Sequence, residues 1–292
     1  MKYTVKHTTT YSYSEPVNLC QNHARLTPLS NQYQQCLTTE IVTSPTVDYL
    51  QSFIDYFGNR VSVFDIPTQH EVLQVTAVSE VEIYNRQQIN MLGWQMPWES
   101  VVKALANPIT PQTLKAAEFT LVSVFTHYQA EMRAYALQSF TPNRPIVEAC
   151  EDLMARIFTD FQYESGATTI STPLAEVFAS KKGVCQDFAH FALACLRSIG
   201  LAGRYVSGYI ETFPPEGQEK LEGADATHAW FALYLPDVGW VDFDPTNNVL
   251  PNDQHITLAV GRDFADVTPL KGIVFGGGMH QLAVAVDMKR HD

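Results

Sequence analysis

The hydrophobic period of the chain changes once, near residue 90, and that change constrains the fold more than any other feature. At the start, Tyr3, Val5, His7, Thr9, Tyr11 and Tyr13 alternate with Lys2, Thr4, Lys6, Thr8, Thr10 and Ser12. Successive side chains of a strand point to opposite faces, so this alternation marks a half-buried strand. Leu37 to Thr43 reads as a second strand, stopped by Ser44-Pro45. Phe57-Gly58-Asn59-Arg60 carries turn residues, Val61 to Ile66 follows, and Val72 to Ile83 is a long β-branched run. Residues 1–90 therefore read as a small, sandwich-like all-β domain with a structural or substrate-orienting role. Beyond it, residues 91–292 switch to spacings of three and four. Helical segments are expected at 98–106, 111–128 and 129–140, after a linker punctuated by Trp94, Pro97 and Trp98. Pro145 suits a first helical turn, and Ile146, Ala149, Cys150, Leu153, Ile157 and Phe158 form one apolar stripe behind it. The class is α+β.

The second part carries an ordered series of elements. Gly183-Val184-Cys185 precedes Phe188, Leu193, Leu196 and Ile199, and Gly200 is a helix stop. Cys185 then opens a helix, and Cys195 lies inside it. Arg204 to Ile210 reads as a strand, and 214–225 as a polar loop rich in Gly and Pro. His228 to Leu235 and Trp240 to Phe243 read as two strands around Pro236-Asp237-Val238-Gly239. The tail reads as loop through Gly276-Gly277-Gly278, then a last strand from Gln281 to Val286, assigned to the second domain.

Composition narrows the function classes. The chain has 292 residues, long enough for two domains, and a net charge of −12. That balance argues against a nucleic-acid binder, which needs a basic face, and against a polybasic membrane anchor. No run of 18 apolar residues occurs and the first residues lack an apolar signal core. The five cysteines, an odd number without a CxxC pair, fit a reducing, cytoplasmic setting and argue against a structural zinc site. Cys20, Cys36, Cys150 and Cys195 read as small packing residues.

Cys185 differs by position. A free thiol is mostly protonated at neutral pH. A helix N-terminus stabilises a thiolate through its unpaired N–H groups and partial positive charge, and an adjacent imidazole can take the proton. Gly183 would let a substrate approach the backbone, and the Cys185 N–H could donate to a developing oxyanion. His228 and Asp244 fall on consecutive strands, and a carboxylate on one ring nitrogen fixes the tautomer of the imidazole. Register tests the pairing. A four-residue loop at 236–239 would put Asp244 on the wrong face, whereas an odd loop or a β-bulge puts 228 opposite 246 and makes Asp244 a same-face neighbour. An odd loop or a β-bulge is therefore expected in this hairpin.

These stretches resemble a known family. Gly183-Val184-Cys185-Gln186-Asp187-Phe188-Ala189-His190, Arg204 to Tyr209, His228-Ala229-Trp230 and Gly239 to Thr246 look like the transglutaminase-like core, closest to bacterial transglutaminase-like cysteine proteases. His7 to Tyr13, Glu15-Pro16-Val17, Arg25 to Pro28 and Phe57-Gly58-Asn59 resemble the β domain that precedes that core, and Gly261 to Pro269 resembles its tail. The resemblance implies a papain-like core with Cys185 as nucleophile, His228 as general base and acid, and Asp244 as the orienting carboxylate. Asp244 is chosen over Asp242 because the family's aspartate directly precedes Pro-Thr. Asp187 and His190 match positions beside the nucleophile and are expected to hold the helix and its loops. Tyr209 is expected either to line the cleft or to pack. The implied reaction is acyl transfer on a peptide or protein amide through a thioester, without metal, calcium or other cofactor. Water as acceptor makes a peptidase or amidase, an amine makes a transglutaminase, and a non-catalytic peptide-binding scaffold is the rival class.

Overall fold

The computed structural model describes residues 1–84, 94–213, 223 and 225–291. The period-two stretch forms β1 (Lys2–Ala24), followed by β2 (Gln34–Ser44), β3 (Gln51–Ile54), β4 (Arg60–Ile66) and β5 (His70–Ile83). The α-rich part holds α1 (Trp98–Ala106), α2 (Pro111–Ala117), α3 (Ala130–Ser139), α4 (Ile146–Asp160), α5 (Leu174–Ser180) and α6 (Cys185–Ser198). The short strands β6 (Gln162–Tyr163) and β7 (Lys182–Gly183) flank α5. Four antiparallel strands follow, β8 (Gly203–Ile210), β9 (Ala226–Leu235), β10 (Gly239–Phe243) and β11 (His255–Gly261), in spatial order β10-β9-β8-β11. The chain ends with α7 (Phe264–Val267), β12 (Leu270–Gly276) and β13 (His280–His291).

The first domain is all-β and the architecture α+β, as the patterning implies, but the tail belongs elsewhere than expected. β12 and β13 do not join the second domain; both pair antiparallel with β1 in a seven-stranded sheet. They run as one interrupted strand along β1, from Ala24↔Leu270 to Lys2↔His291. The three glycines are the interruption rather than a loop. They sit opposite the Ser14-Glu15-Pro16 irregularity of β1, where Gly277 donates to the Pro16 carbonyl. All three have positive φ, and a Cβ on Gly276 would lie 2.6 Å from that carbonyl oxygen. The expected helix at 111–128 is also shorter: α2 ends at Ala117, one 3₁₀ turn follows, and the chain then opens. Ser123 and Thr126 hydroxyls bond locally there and to the buried Arg197 guanidinium, which gives the backbone an alternative to the helix. The expected 214–225 loop lies outside the described residues apart from Gly223 and Asp225.

α6 is the axis of the second domain. Every residue from Asp187 to Ser198 is buried. Phe188, Phe191, Leu193 and Leu196 pack among Phe231, Leu233 and Tyr205 of the sheet and Tyr135, Leu153 and Phe161 of the surrounding segments. Burying a helix on all sides fixes its axis and so fixes where Cys185 points. The two domains are tied at β11, an edge strand of the smaller sheet. The Gln34 carboxamide accepts from the Thr257 N–H and donates to its carbonyl, both at 2.7 Å, and Asn59 does the same for Val260 at 2.8 Å. Two buried side-chain amides thus stand in for a further strand and satisfy ladder groups that an edge leaves unpaired.

Candidate active site

The site is built where the N-terminus of α6 meets the start of β9. Cys185 is the first residue of α6 and is partly exposed, whereas Cys20, Cys150 and Cys195 are buried. Cys36, expected to pack, is also partly exposed, on β2 far along the chain from the site, where its thiol meets the Thr39 hydroxyl at 3.1 Å. The turn before Cys185 is held by Asp187. Its Oδ2 accepts from the Val184 N–H at 2.9 Å and from the Thr168 hydroxyl at 2.6 Å. Burial lifts the Asp187 carboxyl above the usual range, and those two bonds oppose the shift. Gly183 is needed for this packing, because a Cβ there would lie 2.7 Å from Asp187 Oδ2.

The β9–β10 hairpin has the odd loop that the side-chain pairing requires. Leu235 pairs with Gly239 across the three residues Pro236-Asp237-Val238, with Asp237 at φ 62° and Gly239 at φ 95°. Continued past Phe231↔Phe243, this register sets 228 opposite 246, so His228 and Asp244 share a face. Asp244 lies one residue beyond the end of β10, in a tight turn closed by its backbone bonds to Val249. Its Oδ1 accepts from the N–H groups of Thr246 at 2.9 Å and Asn247 at 3.3 Å. Its Oδ2 accepts from His228 Nε2 at 2.7 Å, Asn247 Nδ2 at 2.7 Å and His255 Nε2 at 3.1 Å. Burial alone would raise this carboxyl, but the donors hold it far below the carboxylate range.

His228 is 7% exposed. Burial disfavours its charged form, yet the bonds to Asp244 and to the Cys185 thiol outweigh burial and raise the ring well above an ordinary histidine. With Nε2 on Asp244, Nδ1 is the ring nitrogen left for the thiol. Cys185, His228 and Asp244 are thus brought together as one hydrogen-bonded series.

His190 lies further along α6. It is buried, its Nε2 accepts from the Phe264 N–H at 3.2 Å, and its ring stacks on Phe125 at 5.4 Å. Burial pushes its pKa down to about 3, so the ring is neutral. Tyr209 is not brought to the site. Gly208 pairs with His228, so Tyr209 points to the other face, where its hydroxyl meets His7 Nδ1 at 2.9 Å between the two domains. Sequence reading missed Asn247 and His255. Asn247, three residues after Asp244, is the detectable one, because Asp-Pro-Thr-Asn is a turn signature. His255 had no local signal, since only the folding of β11 beside β8 brings it near. Among the described residues, donor atoms of His228, Asp244 and His255 lie within 4.8 Å of one another, close enough to surround a cation. Their separations of 2.7 and 3.1 Å are those of hydrogen bonds, which they already make.

Comparison with known proteins decides the family. Residues 3–82 match the bacterial transglutaminase-like N-terminal region, and residues 133–245 match the transglutaminase-like superfamily. An uncharacterized protein of Mycobacterium tuberculosis is 39% identical over 98% of this chain and 92% of its own length. The chain belongs to the bacterial transglutaminase-like family. Its transglutaminase-like core carries Cys185, His228 and Asp244 within the matched span. The solved structure of a "putative cysteine protease" from Cytophaga hutchinsonii superposes with a TM-score of 0.76 at 19% identity, covering 100% of this chain and 91% of that one, which shows a shared fold. A protein-glutamine γ-glutamyltransferase of Pseudomonas aeruginosa is 30% identical over 38% of this chain and 18% of its own length.

Proposed function

We propose that the protein is a thiol-dependent acyl-transfer enzyme acting on peptide or protein amides, with hydrolysis as its main outcome. The observation that carries this reading is the hydrogen-bonded series from a partly exposed thiol at a helix N-terminus through a buried imidazole to a saturated buried carboxylate. His228 takes the proton of the Cys185 thiol as general base. The sulfur attacks an amide carbonyl, and its new bond to carbon sends the carbonyl electrons onto oxygen. The Cys185 N–H belongs to the first helical turn, whose donors have no intrahelical acceptor, and this supports it as a donor to that oxyanion. His228 gives its proton to the departing amine, which leaves a thioester and a neutral ring. His228 then takes a proton from water as the water attacks the thioester, and the acid product and the thiolate–imidazolium pair are regenerated. Asp244 remains ionised throughout and stabilises the charged ring.

A free amine in place of water would give the transferase reaction. The likeness of the core to the Pseudomonas γ-glutamyltransferase supports keeping that second reading. The net charge of −12 supports a partner other than nucleic acid, and five free thiols suit a reducing compartment such as the cytoplasm. Among the described residues no helix is long and apolar enough to cross a membrane.

A peptide library made from a cell digest tests both readings together. Wild type is expected to generate new peptide N-termini that Cys185→Ala does not generate. Incorporation of a fluorescent primary amine in excess over new N-termini would favour transfer. Equal cleavage by Cys185→Ala would remove the thiol from the mechanism.

A further inference from the structure

We propose that His255 is a positioning residue of this site, holding the Asp244 carboxylate where its Oδ2 meets His228. This rests on the thiol reading above.

Asp244 needs such a residue because the ladder does not hold it. β10 ends at Phe243, so the orientation of the Asp244 side chain depends on what bonds its two oxygens. Oδ1 is bonded by N–H groups of its own turn, which rotate with it. Of the three donors on Oδ2, Asn247 belongs to the same turn and His228 is the group to be oriented. His255 is the donor from outside. It starts β11, on the far side of β8 from β9, and bonds Oδ2 at 3.1 Å. The carboxylate is therefore clamped between imidazoles of two different strands.

The His255 ring is itself fixed. An ionised carboxylate only accepts, so Nε2 of His255 carries the proton. On the other edge, Nδ1 lies 3.4 Å from the Asn252 N–H and 3.3 Å from its Oδ1. The N–H contact suits the neutral tautomer that Asp244 requires. Trp230 packs edge-on against the ring at 5.4 Å, and the residue is 1% exposed. Trp230 in turn lies over Gly208, where a Cβ would come within 2.4 Å of the indole. A buried, tautomer-fixed ring that donates to Asp244 is what holding the carboxylate requires.

The test is the rate of Cys185 alkylation by iodoacetamide in the full chain, read by peptide mass spectrometry beside the melting temperature. Folded His255→Leu is expected to react about tenfold more slowly, the effect of one lost hydrogen bond to a charged group. His255→Gln, which keeps an N–H donor, should stay within about threefold of wild type. His255→Phe, which keeps a buried ring but no N–H donor, should slow the reaction as His255→Leu does. A wild-type rate in folded His255→Leu, or equal slowing in the Leu and Gln variants, would overturn the proposal. If the Leu variant does not fold, His255→Phe decides, and a wild-type rate there overturns the proposal. A wild-type Cys185 no faster than a free thiol would sink the thiol reading itself, a failure distinct from that of His255.

Discussion

Asp244→Asn is expected to lower the reactivity of Cys185 by about thirtyfold at neutral pH while the fold persists, because an unassisted thiol is only a few per cent ionised there. The reason is the direction of one hydrogen bond. Asp244 Oδ2 can only accept, so His228 Nε2 carries a proton in the native site. An amide nitrogen in that place donates and turns Nε2 into the acceptor. The ring proton then sits on Nδ1, facing the sulfur, and His228 can no longer take the thiol proton. The charge that stabilises the imidazolium in a buried place is lost as well. Alkylation of Cys185 at neutral pH, compared between wild type and Asp244→Asn of unchanged melting temperature, measures the effect. A rate within threefold of wild type would show that the carboxylate does not tune the thiol.

The second large effect is on stability in mild acid. His7 and His190 are both buried, and burial lowers their pKa values to about 4 and about 3. Their folded values are depressed, so each is neutral in the native protein while the unfolded chain binds a proton below about pH 6.5. Their contribution is present above pH 6.5 and is lost as pH falls toward their folded values. Two such groups should remove about 3 kcal/mol between pH 6.5 and pH 5. His228 has the opposite sign. Its folded value is raised, so its contribution is complete below pH 6.5 and declines as pH rises toward about 10. Stability should therefore peak near pH 6.5. Urea unfolding at pH 6.5 and pH 5 checks this. His190→Gln should lose markedly less stability over that interval than wild type does. Equal losses would mean that His190 does not stay neutral in the fold.

The sequence made the local features of this molecule legible and left the long-range ones obscure. The alternation of Tyr3 to Tyr13 announced β1, and the run from Cys185 to Gly200 announced α6 with its cysteine at the first position. Strand geometry left an odd hairpin loop or a β-bulge as the ways to set His228 and Asp244 on one face, and the hairpin has the odd loop. The destination of the tail was not legible. Period two in 281–286 says that a strand forms but not which strand it pairs with. The three glycines looked like a loop because their opposite number, Pro16, lies some 260 residues away in sequence. His255 was hidden for the same reason, since it meets Asp244 only after β11 has paired with β8. Tyr209 was ambiguous until the pairing of Gly208 with His228 settled its face.

The measurement that tests the account most directly is the site of covalent labelling by a peptide carrying an electrophilic carbon. Cys185 and Cys36 are both partly exposed, which makes Cys36 an internal control without an imidazole–carboxylate pair. A single adduct on Cys185 is expected in wild type, with none on Cys36 in the same interval and none in Cys185→Ala. Labelling of both thiols at similar rates, or equal labelling of Cys185→Ala, would contradict it.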